Sequence, residues 1–136
     1  MKFLDANVFL RVLTKDDPIK AAASLALFER LGAGDDEAVT CEAVIAEVVY
    51  VLTSLVTYRL THEEVRNRFR PLLELRGLRI EHKTSYLRAL DLYASAPYLD
   101  IEDAIIVAHM EREGWTELVS YDRDFDRVSG PVRSEP

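Results

Sequence analysis

Short apolar runs and longer stretches of helical periodicity take turns along this chain. Lys2-Phe3-Leu4 is a brief run fit for a buried strand, broken by Asp5-Ala6-Asn7, and Val8-Phe9-Leu10 resume at helical spacing. Asp17-Pro18 is a helix start with proline at the first helical position, and Ala22, Leu25, Ala26, Phe28 and Leu31 follow at three-to-four spacing up to Gly32-Ala33-Gly34. Ala38-Val39-Thr40-Cys41 reads as a second strand. Residues 42 to 56 read as an almost wholly apolar helix whose stripe is Val44, Ile45, Val48, Val51, Leu52 and Leu55, with Glu47 lying inside that stripe. Thr61 and Glu64 form a capping box ahead of Val65, Phe69, Leu72 and Leu73, in a segment that Pro71 should kink or divide. Leu78 to Glu81 is a third strand. Thr84 opens a helix through Leu87, Ala89, Leu90 and Tyr93 to Ala96-Pro97, Asp100 caps another that runs to Gly114, and Leu118-Val119-Ser120 is a fourth strand.

Strands alternating with pairs of helices predict an α/β fold, with a small, mostly parallel sheet of four to five strands flanked by helices on both faces. With 136 residues, 49% of them hydrophobic, the chain has the size of one domain with one core, read as residues 1–128 followed by a loose tail over 129–136. The single cysteine, Cys41, precludes an intramolecular disulfide and makes no zinc spacing with the three histidines, so it reads as a small buried hydrophobe. No signal-peptide pattern opens the sequence, and the longest apolar run is too short to span a bilayer, so a cytoplasmic protein without a membrane partner is expected.

The net charge of -7 argues against a protein that coats nucleic acid by bulk electrostatics. Its distribution changes that picture. Residues 59–88 carry eight Lys and Arg against four acids, a net of +4, which leaves -11 for the rest. This basic middle is either a set of solvated helix faces or a surface that tracks phosphates, with Arg66, Arg68 and Arg70 as the candidate RNA contacts.

The acids fall where strands end. In an open parallel sheet, ligands bind at the carboxyl ends of the strands, and Asp5 follows the first strand while Asp122 follows the fourth. Glu47 sits in the helix leaving the second strand, and Asp103 in a helix first turn. Each has a purely structural alternative: Asn7 as a helix N-cap beside Asp5, Asp103 as a favourable charge at a helix N-terminus, Asp122 and Asp124 as turn residues. Glu47 resists such an account: a carboxylate on a buried stripe must be paired or bound to a cation, and residues 43–51 contain no Lys or Arg, so something positive must reach it. Converging carboxylates without a counter-charge would be relieved by a hard divalent ion, Mg²⁺ or Mn²⁺ rather than Zn²⁺, and such a site suits hydrolysis of a phosphodiester.

Asp5-Ala6-Asn7, the lone Glu47, the run Asp103-Ala104-Ile105-Ile106-Val107-Ala108, and Ser120-Tyr121-Asp122-Arg123-Asp124-Phe125 together resemble the PIN domain, and in particular its short VapC-like ribonuclease toxins. The resemblance covers nearly the whole chain. It implies that Asp5, Glu47, Asp103 and Asp122 form a metal-binding catalytic quartet, that Asn7 and Ser120 support it, and that Asp124 assists or replaces Asp122. It also implies Mg²⁺- or Mn²⁺-dependent cleavage of RNA, a homodimer, and silencing by a cognate antitoxin protein. Ala6 and Ser120 stand where Thr is frequent in the family. Two other readings are an aspartyl-phosphate phosphatase, which needs a second Asp where this chain has Asn7, and an inactive interaction module of the same fold.

Overall fold

The computed structural model describes residues 1–136. Five short strands and six helices follow one another as β1 (Lys2–Phe3), α1 (Ala6–Thr14), α2 (Pro18–Ala33), β2 (Ala38–Val39), α3 (Glu42–Thr53), α4 (His62–Leu73), β3 (Leu78–Arg79), α5 (Lys83–Ser95), α6 (Ile101–Glu113), β4 (Glu117–Val119) and β5 (Val132–Ser134). A 3-10 helix, Arg123–Arg127, lies between the last two strands. β1, β2 and β3 form a parallel sheet in that order, with Lys2 opposite Ala38 and Ala38 opposite Leu78. β4 and β5 pair in parallel as a second sheet, with Leu118 opposite Arg133. The sequence therefore folds as an α/β protein with the five strands divided three and two. The segment 129–136, expected to be a loose tail, contributes β5.

Local chemistry accounts for most element ends. The Asp17 side chain accepts the Lys20 amide, Pro18 occupies the first turn of α2, and Gly34 closes that helix in the left-handed region at φ 80°. Both bonds of the Thr61–Glu64 capping box are present at the start of α4. Pro71 does not divide α4, which continues to Leu73; so near the helix end, proline removes one hydrogen bond from a turn that is about to stop. α3 ends at Thr53, earlier than residue 56, and Leu55 and Val56 are exposed rather than part of the buried stripe. Cys41 is exposed as well, at the N-cap position of α3, so its expected burial is not found.

One core cluster joins the helices to the three-stranded sheet. Phe9 of α1 is fully buried between Phe28 of α2 and Phe69 of α4, with ring centroids 5.2 and 5.6 Å away. Ile45, Val48 and Leu52 bring the inner face of α3 to the same core, while α5 packs between α4 and α6. The carboxyl ends of β1 and β2 are held in step by two bonds: the Leu4 amide donates to the Val39 carbonyl at 2.8 Å, and the buried Thr40 hydroxyl donates to the Leu4 carbonyl at 2.9 Å. That pairing sets where the chain turns into Asp5 on one side and into α3 on the other.

Candidate metal centre

Asp5 is the residue at which β1 becomes α1. It holds the N-cap position in an extended conformation (φ -82°, ψ 164°), but its side chain makes no capping hydrogen bond, so an exposed carboxylate is left at the strand end. Asn7 is not the cap. It is the second residue of α1 and is exposed beside Asp5.

Glu47 corrects an expectation. The buried face of α3 is Val44, Ile45, Val48, Val49 and Leu52, and Glu47 turns off that face into solvent. Its carboxylate is exposed to solvent, so burial does not oblige a cation to reach it. Tyr50, one turn further along the same side of α3, lines a cleft with Asp100, Ile101 and Glu102. The outer side of α3 thus looks toward the first turn of α6.

That first turn brings three carboxylates together, Asp100, Glu102 and Asp103. Asp100 caps α6 by accepting the Asp103 amide at 2.8 Å. The Asp103 side chain is half-buried, and its carboxyl is pushed up to about 6, first by burial and then by the negative charges of Asp100 and Asp122, a hydrogen bond with Asp100, and the charge of Glu102. Asp103 and Asp122, the third and fourth members of the expected quartet, therefore face each other closely enough to repel. Asp5, at the start of α1, and Glu47, midway along α3, are exposed and outside the groups that act on Asp103. No three His, Cys, Asp or Glu side chains stand close enough together to hold an ion as they are placed.

Asp122 is fixed by its neighbours. Its amide donates to the Ser120 hydroxyl at 3.0 Å, and its carboxylate accepts the Asp124 amide at 2.9 Å, capping the 3-10 helix. Asp124 is half-buried and pairs with Arg127 at 3.8 Å, so it already has a cation of its own. Arg127 also lies over the Tyr98 ring, 3.7 Å from the centroid, and its carbonyl accepts the Tyr98 hydroxyl at 3.0 Å. Tyr98 precedes α6 by three residues, so this contact clamps the Asp122 segment against the Asp103 turn.

Arg133 of β5 completes the support. Only 12% of its side chain is exposed; one guanidinium nitrogen donates to the Ser120 carbonyl at 2.9 Å, while Nε and Nη2 grip the two Asp126 oxygens at 3.0 and 3.1 Å. Sequence reading missed this residue because a lone arginine in a polar tail carries no local signal. Asp100 did have one, an acid three residues before Asp103 at a helix start, but a cap and a charge neighbour look alike there. Arg133→Ala is expected to free the Ser120–Asp122 turn and lower the melting temperature, because the charge-assisted bonds to Ser120 and Asp126 are lost. Thermal unfolding, with amide exchange at residues 120–124 as the local readout, checks this.

The basic segment is less available than its charge count implied. Arg66 and Arg70 both approach Asp91 of α5, at 3.6 and 3.2 Å, and Arg68 approaches Glu64 at 3.5 Å. Arg70 also pairs with Glu74.

The family pattern of the PIN domain matches residues 2–131. The chain belongs to the PIN domain family. PIN domains are typically metal-dependent nucleases, and the match extends from β1 to the residue before β5, taking in every acid discussed above. No curated protein matches the chain closely enough to add a narrower assignment. Carboxylate oxygens, as at Asp103 and Asp122, are the donors a hard divalent ion takes, and a cation there would relieve the negative charge that, after burial, raises the Asp103 carboxyl.

Proposed function

We propose that this PIN domain is a Mg²⁺- or Mn²⁺-dependent endoribonuclease and the toxin of a toxin–antitoxin pair. Asp5, Glu47, Asp103 and Asp122 hold the ion as ligands and so form the catalytic quartet, with Asn7, Ser120 and Asp124 in support. The observation that carries the reading is the gathering of Asp103 with Asp100, Glu102 and Asp122 at the start of α6, where burial first and then these charges push its carboxyl up to about 6. Perturbed carboxylates of this kind mark functional sites, and the relief they call for is positive charge. A divalent ion bound there supplies Lewis-acid activation of water and neutralises charge building on the phosphoryl oxygens.

The residues of the chain do the rest. Ser120 and Arg133 hold Asp122 at the strand end, Tyr98 and Arg127 press its segment toward Asp103, and Asp100 fixes the first turn of α6. Arg66, Arg68 and Arg70 guide RNA phosphates in this account by exchanging their intrachain acids for the substrate. Neutralising all three is then expected to weaken RNA binding and flatten its salt dependence.

The toxin reading adds three properties: a cytoplasmic location, a homodimer, and an antitoxin that covers the acidic site. No helix is long and apolar enough to cross a membrane. A basic side chain from an antitoxin would find the same acids that attract the ion. Expression in a bacterial host is expected to arrest growth unless the protein encoded beside it is co-expressed, with Asp5→Asn harmless. Equal growth of wild type and Asp5→Asn at matched expression would defeat the toxin reading.

A further inference from the structure

A cleft of about 330 Å³ opens beside the first turn of α6, between α3, the start of α4 and the loop from α5 to α6. Its floor is aromatic and fixed. His62 stacks on Tyr93 with centroids 3.8 Å apart, and its Nε2–H donates to the Leu99 carbonyl at 2.8 Å, an assignment required because a carbonyl can only accept. Burial pushes the Tyr93 phenol up to about 12, so it stays neutral. At the mouth, Tyr50 leaves 75% of its surface exposed, a large aromatic face with no intrachain cover. The rim carries Asp100 and Glu102 and no Lys or Arg. Asp100 commits Oδ1 to the Asp103 amide, whereas both oxygens of Glu102 are without a partner in the chain.

We propose that this cleft receives one unpaired guanine base of the RNA substrate, next to the phosphodiester that is cleaved. The inference rests on the ribonuclease reading and deepens it by naming the base the site selects. Unpaired bases are recognised by stacking on aromatic faces together with hydrogen bonds to their Watson–Crick edges, and Tyr50 supplies the face. Glu102 decides the base. A carboxylate accepts and cannot donate, and its two oxygens match two donors set side by side. Guanine offers that pair in N1–H and the N2 amino group. Adenine and cytosine each set one amino group beside a ring nitrogen that would face the second oxygen, and the single N3–H of uracil lies between two carbonyl oxygens. The absence of a cation among the lining residues disfavours a phosphate in the cleft itself, so the base enters here and the backbone passes the neighbouring acids.

The test is an NMR titration of the full chain with guanosine, adenosine, cytidine and uridine in turn. Guanosine is expected to shift the signals of Tyr50, Tyr98 and Glu102 and to bind at least about ten-fold more tightly than adenosine, the ratio a single well-made hydrogen bond sustains. Glu102→Gln keeps the shape of this exposed side chain but turns one acceptor into a donor, and it should weaken guanosine about ten-fold. Tyr50→Ala should weaken it as well, and Tyr50→Phe should restore it. Equal responses to all four nucleosides, or no response, overturn the proposal. So does saturation by arginine amide without any nucleoside response, which would make the cleft a site for a basic peptide. Nucleosides carry no phosphate, so the titration is independent of cleavage. Guanosine binding by a protein that cuts no RNA would keep the pocket and remove the nuclease reading, whereas RNA cleavage without guanosine preference would remove the pocket alone.

Discussion

Asp103→Asn is expected to abolish RNA cleavage and, at neutral pH, to make the protein more stable. The loss of activity should exceed about 100-fold, the upper end of what is lost when only an outer partner of a metal ligand is removed. The gain in stability follows from the direction of the shift. The carboxyl of Asp103 rises from 3.8 to about 6 on folding, so between those values the native state holds a proton that the unfolded chain has released. Stability therefore falls as pH climbs from about 4 through about 6, and the deficit persists above that range. Asn removes the slope while leaving the amide that Asp100 caps untouched. With solvent screening of a half-buried group, the gain at pH 7 should be about 1–2 kcal/mol. Denaturation midpoints measured with a chelator from pH 4 to 8 will show it: wild type should lose stability across the window and Asp103→Asn should not. A neutral-pH loss in the variant would make this carboxylate a structural group.

Gly77→Ala should cause the largest loss of folding stability of any glycine-to-alanine change in the chain. A Cβ at this position would stand 2.2 Å from the Asp36 carbonyl oxygen and 2.8 Å from that of Leu31, and neither is the end of a flexible side chain. The Gly77 amide also donates to the Leu31 carbonyl at 2.8 Å, so this residue pins the end of α2 against the entry to β3. Moving backbone apart there would break that bond and disturb the β2–β3 register set by the neighbouring Ala38 amide, which donates to the Gly77 carbonyl at 2.9 Å. Overpacking against rigid surroundings costs about 3 kcal/mol or more in such cases. Urea denaturation will measure it. By contrast, Gly114→Ala meets no atom within 4 Å and should show only the milder penalty of a left-handed residue at φ 74°, about 1 kcal/mol. Similar midpoints for the two variants would contradict the close approach at Gly77.

What was legible in the sequence was what local chemistry alone can specify. α6 was readable from Asp100 to Gly114 because both ends carry their own caps, and the start of α4 because Thr61 and Glu64 bond each other across three residues. Glu47 was misread for a physical reason: apolar residues occupy so many positions from 43 to 52 that the sequence does not show which face is buried, and only packing against α1, α4 and α6 decides it. β5 was missed because Val132-Arg133-Ser134 has no alternation to detect. Its strand character comes from pairing with β4, and its arginine is buried by reaching Ser120 and Asp126. In the candidate site, position along the chain led to Asp5, Asp103 and Asp122, but the mutual repulsion of Asp103 and Asp122 and the Tyr98–Arg127 clamp are products of tertiary structure.

The central claim, that these acids hold a divalent ion for RNA cleavage, is tested most directly by following cleavage of single-stranded RNA as Mn²⁺ is added to the purified, chelator-stripped chain. Asp5→Asn, Glu47→Gln, Asp103→Asn and Asp122→Asn are run beside wild type, with Glu117→Gln as an exposed acid at the end of β4 away from Ser120. The account predicts no cleavage before the ion, cleavage by wild type and Glu117→Gln after it, and a loss of more than about 100-fold in each of the other four. Cleavage that survives chelation, or that persists in those four variants, would contradict it, and a wild type that cuts nothing at any Mn²⁺ concentration would leave an inactive module of the same fold.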